Sequence, residues 1–131
     1  DGAGAYSWIS NGITWAADSG AKVINLSLGG TPSSKTLENA VNYAWNKGSV
    51  VVAAAGNCGC QAKLYPAAYT KAIAVAASNN KDQNASFSSY GVKWFDVAAH
   101  GENIFSKKRN RALRNRVFRV AGEGIRESGF S

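Results

Sequence analysis

The sequence predicts an α/β fold with a mainly parallel sheet, and three observations carry that expectation. Helical and strand patterns alternate along the first half of the chain, which favours crossover connections between parallel strands. Residues 49–57, Ser-Val-Val-Val-Ala-Ala-Ala-Gly-Asn, form a continuous apolar run of the kind a strand covered on both faces shows. Glycines stand where each helical pattern stops, at Gly20 and Gly48.

Residues 6–18 follow helical spacing, with Tyr6, Ile9, Ile13 and Ala16 on one face. Residues 23–28, Val-Ile-Asn-Leu-Ser-Leu, read as a strand that Gly29 and Gly30 end. Ser33 or Ser34 caps a second helix, whose apolar stripe is Leu37, Ala40, Val41, Ala44 and Trp45. A strand over residues 50–55 follows. Its side chains shrink stepwise through Ala53, Ala54 and Ala55 to Gly56, as if something must approach that backbone closely. Asn57 ends the run with an amide that donates two hydrogen bonds. Ligands of open α/β sheets sit beyond the carboxyl ends of strands. Taken alone, Gly56-Asn57 reads first as a plain turn after a core strand. Further strands are expected near residues 72–76 and 95–99, with a polar turn over 79–83.

The chain has 131 residues, 45% of them hydrophobic, which suits one globular domain. No run is long and apolar enough to predict a membrane span, and no secretory leader pattern opens the sequence. The net charge of +7 is not spread evenly. Before residue 107, seven lysines face six acids, leaving +1; beyond it, six arginines and two lysines face two acids, giving +6. An Arg-rich stretch suggests contact with nucleic acid or another acidic partner. Phe118 is its one interleaved aromatic, and no recognisable nucleic-acid module accompanies it. The Gly2-Ala3-Gly4 segment lacks the preceding strand and the third glycine of a phosphate loop.

Cys58 and Cys60 follow the Gly-Asn turn directly, and His100 is the single histidine. Two free thiols, half a metal site and a very short disulfide are all open to such a pair, though a four-ligand zinc site lacks partners. Cα atoms two positions apart lie roughly 5.5–7 Å from each other, overlapping the disulfide range of about 4.4–6.8 Å.

The order of motifs is more specific than any one of them. Gly2-Ala-Gly-Ala-Tyr-Ser-Trp8, Val23-Ile-Asn-Leu-Ser-Leu-Gly-Gly30 and Asn42-Tyr-Ala-Trp-Asn-Lys-Gly-Ser-Val-Val-Val-Ala-Ala-Ala-Gly-Asn57 come first. Tyr65-Pro66, Ala85-Ser-Phe-Ser-Ser-Tyr-Gly91 and Asp96-Val-Ala-Ala99 follow. Over residues 1–106 the chain resembles the central part of a subtilisin-like serine protease (the subtilase family, peptidase S8), on its thermitase-like branch. The resemblance implies part of a three-layer subtilisin-like domain, a secreted and extracellular parent, and a peptide or protein substrate. It also implies a monomeric parent with no membrane association. Residues 107–131 match nothing in the family and read as a basic tail, disordered or frameshifted.

The resemblance also implies roles. Asn57 matches the oxyanion-hole asparagine, a neutral donor aimed at the oxygen that gains charge in the tetrahedral intermediate. Ser27, Leu28 and Gly29 match one wall of the S1 pocket and an edge that pairs with substrate backbone; Ala54, Ala55 and Gly56 match the opposite wall. Gly2, Ala3 and Gly4 match the second edge, so that substrate lies as an added strand. Tyr6 matches a wall of the S4 pocket. Backbone carbonyls of Ala67, Tyr69 and Ala72 match a weak site for calcium or a monovalent cation, a structural role. Since subtilases are largely secreted, a Cys58–Cys60 disulfide is expected, stiffening the turn after Asn57. The family's Gly-Thr-Ser-Met-Ala nucleophile motif is absent, Met does not occur, and His100 stands where the family usually has proline. The catalytic Asp and His belong to motifs upstream of Asp1, so this chain is expected to be inactive by itself.

Overall fold

The structure, a computed structural model, describes residues 5–91 and 94–103 and the backbone of two short strands near the end of the chain. In chain order the elements are α1 (Tyr6–Asp18), β1 (Val23–Leu26), α2 (Lys35–Asn46), β2 (Val50–Ala54), β3 (Ala72–Ser78), β4 (Val97–His100), β5 (Val117–Ala121) and β6 (Gly124–Ser128). Strands β1 to β4 form one sheet in that order, and every pair in it is parallel. The expected α/β class and parallel sheet are therefore present. Strands β5 and β6 pair antiparallel with each other. Residues 104–116, 122–123 and 129–131, which hold most of the expected basic tail, lie outside the described residues.

Local chemistry accounts for the elements. Gly20 and Gly48 both take φ of 86°, the left-handed conformation that ends a helix and that glycine adopts without a Cβ penalty. Ser34 is the N-cap of α2, its hydroxyl accepting from the Leu37 N–H at 3.3 Å. Tyr69 ties that same cap to the loop after β2: its phenol accepts from the Ser34 N–H at 2.9 Å and donates to the Ser34 carbonyl at 2.8 Å. The two helices pack together over the sheet. Ile13 and Ala17 of α1 join Leu37, Ala40, Val41 and Ala44 of α2, Ile24 of β1 and Val51 of β2 in one cluster. Leu37 and Val41 are fully buried, and truncating a residue like Leu37 to Ala costs about 2–5 kcal/mol. A smaller cluster joins Ala53, Ala67 and Ala74, with Leu26, Trp94 and Phe95 against it.

Several strand boundaries and the burial of Trp45 differ from the sequence-based expectation. β1 stops at Leu26 because its ladder with β2 ends at the Leu26–Ala53 pair; Gly30 then pairs antiparallel with Tyr65 instead. β3 runs on to Ser78, since β4 supplies a partner as far as the Ser78–His100 pair. β4 starts at Val97 because Phe95 packs into the smaller cluster and the Asp96 carboxylate accepts the Ala74 N–H at 2.8 Å. Trp45 is not part of the buried stripe of α2: it is 46% exposed, with the Lys71 ammonium 4.9 Å from its ring centre.

Candidate functional site

Parallel strands bring their carboxyl ends to one edge of the sheet, and the chain after β1 and after β2 leaves from that edge. Residues 27–30 and 55–60 are thereby neighbours. Ser27 accepts the Asn25 side-chain amide at 3.1 Å. The Gly30–Tyr65 bridge has two short bonds, Gly30 N–H to Tyr65 carbonyl at 2.9 Å and Tyr65 N–H to Gly30 carbonyl at 2.8 Å. It holds the loop after β2 against the loop after β1. The Tyr65–Pro66 peptide bond is cis.

The glycines show why these positions carry no side chain. A Cβ on Gly29 would lie 2.8 Å from both the Tyr65 carbonyl oxygen and Leu64 Cδ2. A Cβ on Gly56 would lie 2.8 Å from Ser89 Oγ and 3.1 Å from Leu64 Cδ2, and Gly56 has φ of 109°, which side chains rarely allow. Leu64 therefore sits between the two segments expected to wall one pocket. An isolated Leu in a loop carries no sequence signal until the fold places it. Ala54 and Ala55 are buried beside Gly56, and the Ala55 N–H donates to the Val75 carbonyl at 2.9 Å.

Asn57 follows with its side-chain oxygen buried and unpartnered. Among the described residues its side chain makes no hydrogen bond, so the amide is uncommitted. The backbone on either side of it is anchored. Gly56 and Ser89, Gly59 and Phe87, and Cys60 and Tyr90 are joined by backbone bonds of 2.8–3.0 Å, so residues 87–90 splint residues 56–60. Cys58 and Cys60 are placed as a disulfide with Cα atoms 5.1 Å apart. Gly59 between them takes φ of 60°, and a Cβ there would meet the Ser86 carbonyl oxygen at 2.9 Å.

Tyr6 lies at the start of α1 and donates its phenol to the Pro32 carbonyl at 2.8 Å. A Cβ on Gly30 would touch that phenol oxygen. Burial raises the Tyr6 pKa above the ordinary tyrosine value, helped by repulsion from Tyr69 and Tyr65. The phenol therefore stays protonated and donating at neutral pH. Gly2, Ala3 and Gly4 lie outside the described residues. Ala67, Tyr69 and Ala72 are all buried; the Tyr69 carbonyl accepts from the Ala72 N–H at 3.0 Å, leaving it one lone pair. No group of three or more His, Cys, Asp or Glu that could hold a metal occurs among the described residues, and no described helix is long and apolar enough to cross a membrane. His100 bonds through Nε2 to the Asp82 carboxylate at 2.9 Å, both on the surface. Of the arginines, Arg109, Arg111, Arg114 and Arg116 lie outside the described residues.

Comparison with known proteins bears on the family and the fold. The family model described as "Subtilase family" matches residues 1–127. Thermitase of Thermoactinomyces vulgaris is 60% identical over 105 residues, covering 80% of this chain and 37% of that protein. A thermophilic serine proteinase of Bacillus sp. (strain AK1) is 58% identical over 106 residues, covering 81% of this chain and 26% of its own length. Among solved structures, the prenylagaramide maturation protease PagA superposes with a TM-score of 0.75 at 28% identity, over 81% of this chain and 40% of its own. A protease from Pseudoalteromonas arctica PAMC 21717 gives 0.71 at 40% identity, over 76% and 32%. The chain thus spans well under half the length of these relatives. A family match over nearly all of its residues, on a parallel sheet that such proteases share, means that this chain belongs to the subtilase family.

Proposed function

We propose that the full-length protein carrying this chain is a secreted serine endopeptidase, and that this chain supplies its oxyanion donor and much of its substrate cleft. The observation that carries the reading is Asn57: an uncommitted amide at the carboxyl end of a buried strand, on a backbone pinned from both sides. A donor fixed before the reaction needs no reorganisation when charge develops on the scissile oxygen. The amide is neutral, so it stabilises that oxygen without drawing substrate into a deep ground-state well.

Substrate lies as a strand against residues 27–29, with Gly2, Ala3 and Gly4 on its other side, and backbone bonds hold it. The P1 side chain enters between Ser27, Leu28 and Gly29 and Ala54, Ala55 and Gly56, and Leu64 closes that space. The phenol of Tyr6 borders the S4 position. The Cys58–Cys60 bridge stiffens the rim next to Asn57. Carbonyls of Ala67, Tyr69 and Ala72 form an all-oxygen donor set, which suits a hard cation such as calcium, or a monovalent one. That ion would hold the loop after β2 in place. In this reading the nucleophile, base and orienting acid are supplied from outside this chain, and the full-length enzyme is a monomer.

The test is hydrolysis of a peptide anilide by the full-length protein, with and without a serine-directed covalent inhibitor. Inhibitor-sensitive turnover is expected. Absence of turnover in folded, full-length protein would remove the reading, and so would turnover by the 131-residue chain alone as regards the division of labour.

A further inference from the structure

Two peptide groups flank Asn57, and one residue holds both. The Ser89 N–H donates to the Gly56 carbonyl at 2.9 Å, which fixes the peptide before Asn57. The Ser89 hydroxyl accepts from the Cys58 N–H at 3.4 Å, which fixes the peptide after it. The same hydroxyl lies 3.3 Å from Cys58 Sγ. A disulfide sulfur carries no proton, so in the bridged form the hydroxyl is the donor there, and its three-way geometry is set. Ser89 is 1% exposed, so water does not compete for these bonds. Ser89 is itself anchored. The Ser88 hydroxyl donates to the Ser89 carbonyl at 3.1 Å and accepts from the Ala77 N–H of β3 at 2.8 Å. Gly56 is matched to the arrangement, since any Cβ there would stand 2.8 Å from the Ser89 hydroxyl.

We infer that Ser89 is a positioning residue for the oxyanion donor: it locks both peptides around Asn57 to the sheet and so sets where the Asn57 amide points. The inference rests on Asn57 acting as that donor. It needs no contact between Ser89 and substrate. A misplacement of about 1 Å in a catalytic group can cost around 10²-fold in rate, and removing an oxyanion donor outright costs roughly 10²–10³. Loss of one of the two anchors lies below both, at about tenfold in kcat.

The test is a double-mutant cycle in the full-length protein, with kcat and KM read per titrated active site on a peptide anilide. Ser89→Ala is expected to lower kcat about tenfold with KM within about twofold, because the donor acts mainly in the transition state. In an Asn57→Ala background the same change should alter kcat by less than about twofold, since nothing is left to position. Ser88→Ala removes an equally buried hydroxyl one bond further from Asn57, and should lower Tm while sparing kcat. Unchanged kcat in Ser89→Ala overturns the inference. So does equal slowing in both backgrounds, or a kcat loss in Ser88→Ala as large as in Ser89→Ala. If Asn57→Ala itself keeps full kcat, the oxyanion assignment fails and the inference falls with it; a slow Asn57→Ala with an indifferent Ser89 overturns this inference alone. Should Ser89→Ala give no titratable enzyme, Ser89→Thr keeps the hydroxyl: kcat within about threefold of wild type supports the inference, and a tenfold loss overturns it.

Discussion

Replacing Gly56 by alanine tests the close packing of the turn after β2 against Ser89 and Leu64. Two penalties can be worked from the structure. The backbone at φ of 109° lies outside the left-handed basin that other residues occasionally occupy, and holding alanine there costs about 1–3 kcal/mol. The new Cβ would also stand 2.8 Å from Ser89 Oγ and 3.1 Å from Leu64 Cδ2. Turning the Ser89 hydroxyl away sacrifices its bond to the Cys58 N–H, about 1 kcal/mol, and pushing Leu64 aside adds a similar amount. The expected total is about 3–5 kcal/mol. Guanidinium unfolding of inhibitor-blocked full-length protein, followed by tryptophan fluorescence, measures it. The same substitution in a Ser89→Ala background separates the two parts: the hydroxyl clash disappears and the backbone penalty stays, so the loss should shrink by about 1 kcal/mol. A loss below about 1 kcal/mol in the single variant would refute the reasoning, because neither the strain nor the contact would then be real.

Three further outcomes are expected. Leu64→Gly should raise kcat/KM for a phenylalanine over an alanine P1 residue by at least about tenfold, the effect of a methylene or two in an apolar pocket; an unchanged ratio would remove Leu64 from that pocket. Full-length protein unfolded without reductant should show no titratable thiol from Cys58 or Cys60, and verified reduction should alter P1 preference more than global stability, since so short a loop restricts the unfolded chain little. Tyr6 favours its protonated form in the folded state, so its contribution is complete below the ordinary tyrosine pKa near 10 and is lost as pH rises through the higher folded value. Stability above about pH 10 should accordingly fall more steeply in wild type than in Tyr6→Phe, and parallel profiles would contradict this.

Most of the fold was legible because it depends on local signals. The Gly20 and Gly48 stops, the cap expected at Ser33 or Ser34 and taken by Ser34, and the apolar stripe from Leu37 to Ala44 each act within a few residues, and all appear where their spacing placed them. The misjudged boundaries are those decided by a partner far along the chain. Strand β1 ends early because Gly30 finds Tyr65, and β4 starts late because Asp96 finds Ala74. Trp45 obeys the helical period of its stripe, yet the loop lysine Lys71 gives its ring a place at the surface. The candidate site divides in the same way. The shrinking run into Asn57 is visible as a string of letters. Leu64 and Ser89 are ordinary loop residues in sequence, and they gain meaning only from contacts with Gly29 and Gly56 that span many positions.

Burial is graded across the sheet. Strand β2 has Val51, Ala53 and Ala54 fully enclosed, whereas all four residues of β4 are exposed. Opening β4 therefore forfeits few apolar contacts, while opening β2 breaks the cluster that holds both helices. Amide exchange in this part of the molecule should follow that gradient, with β4 amides exchanging through small local openings and the Val51 amide only when α1, α2 and the sheet come apart together. In this chain the Asn57 turn is attached to the slow end of the gradient, directly after β2, so the turn keeps its place while β4 opens.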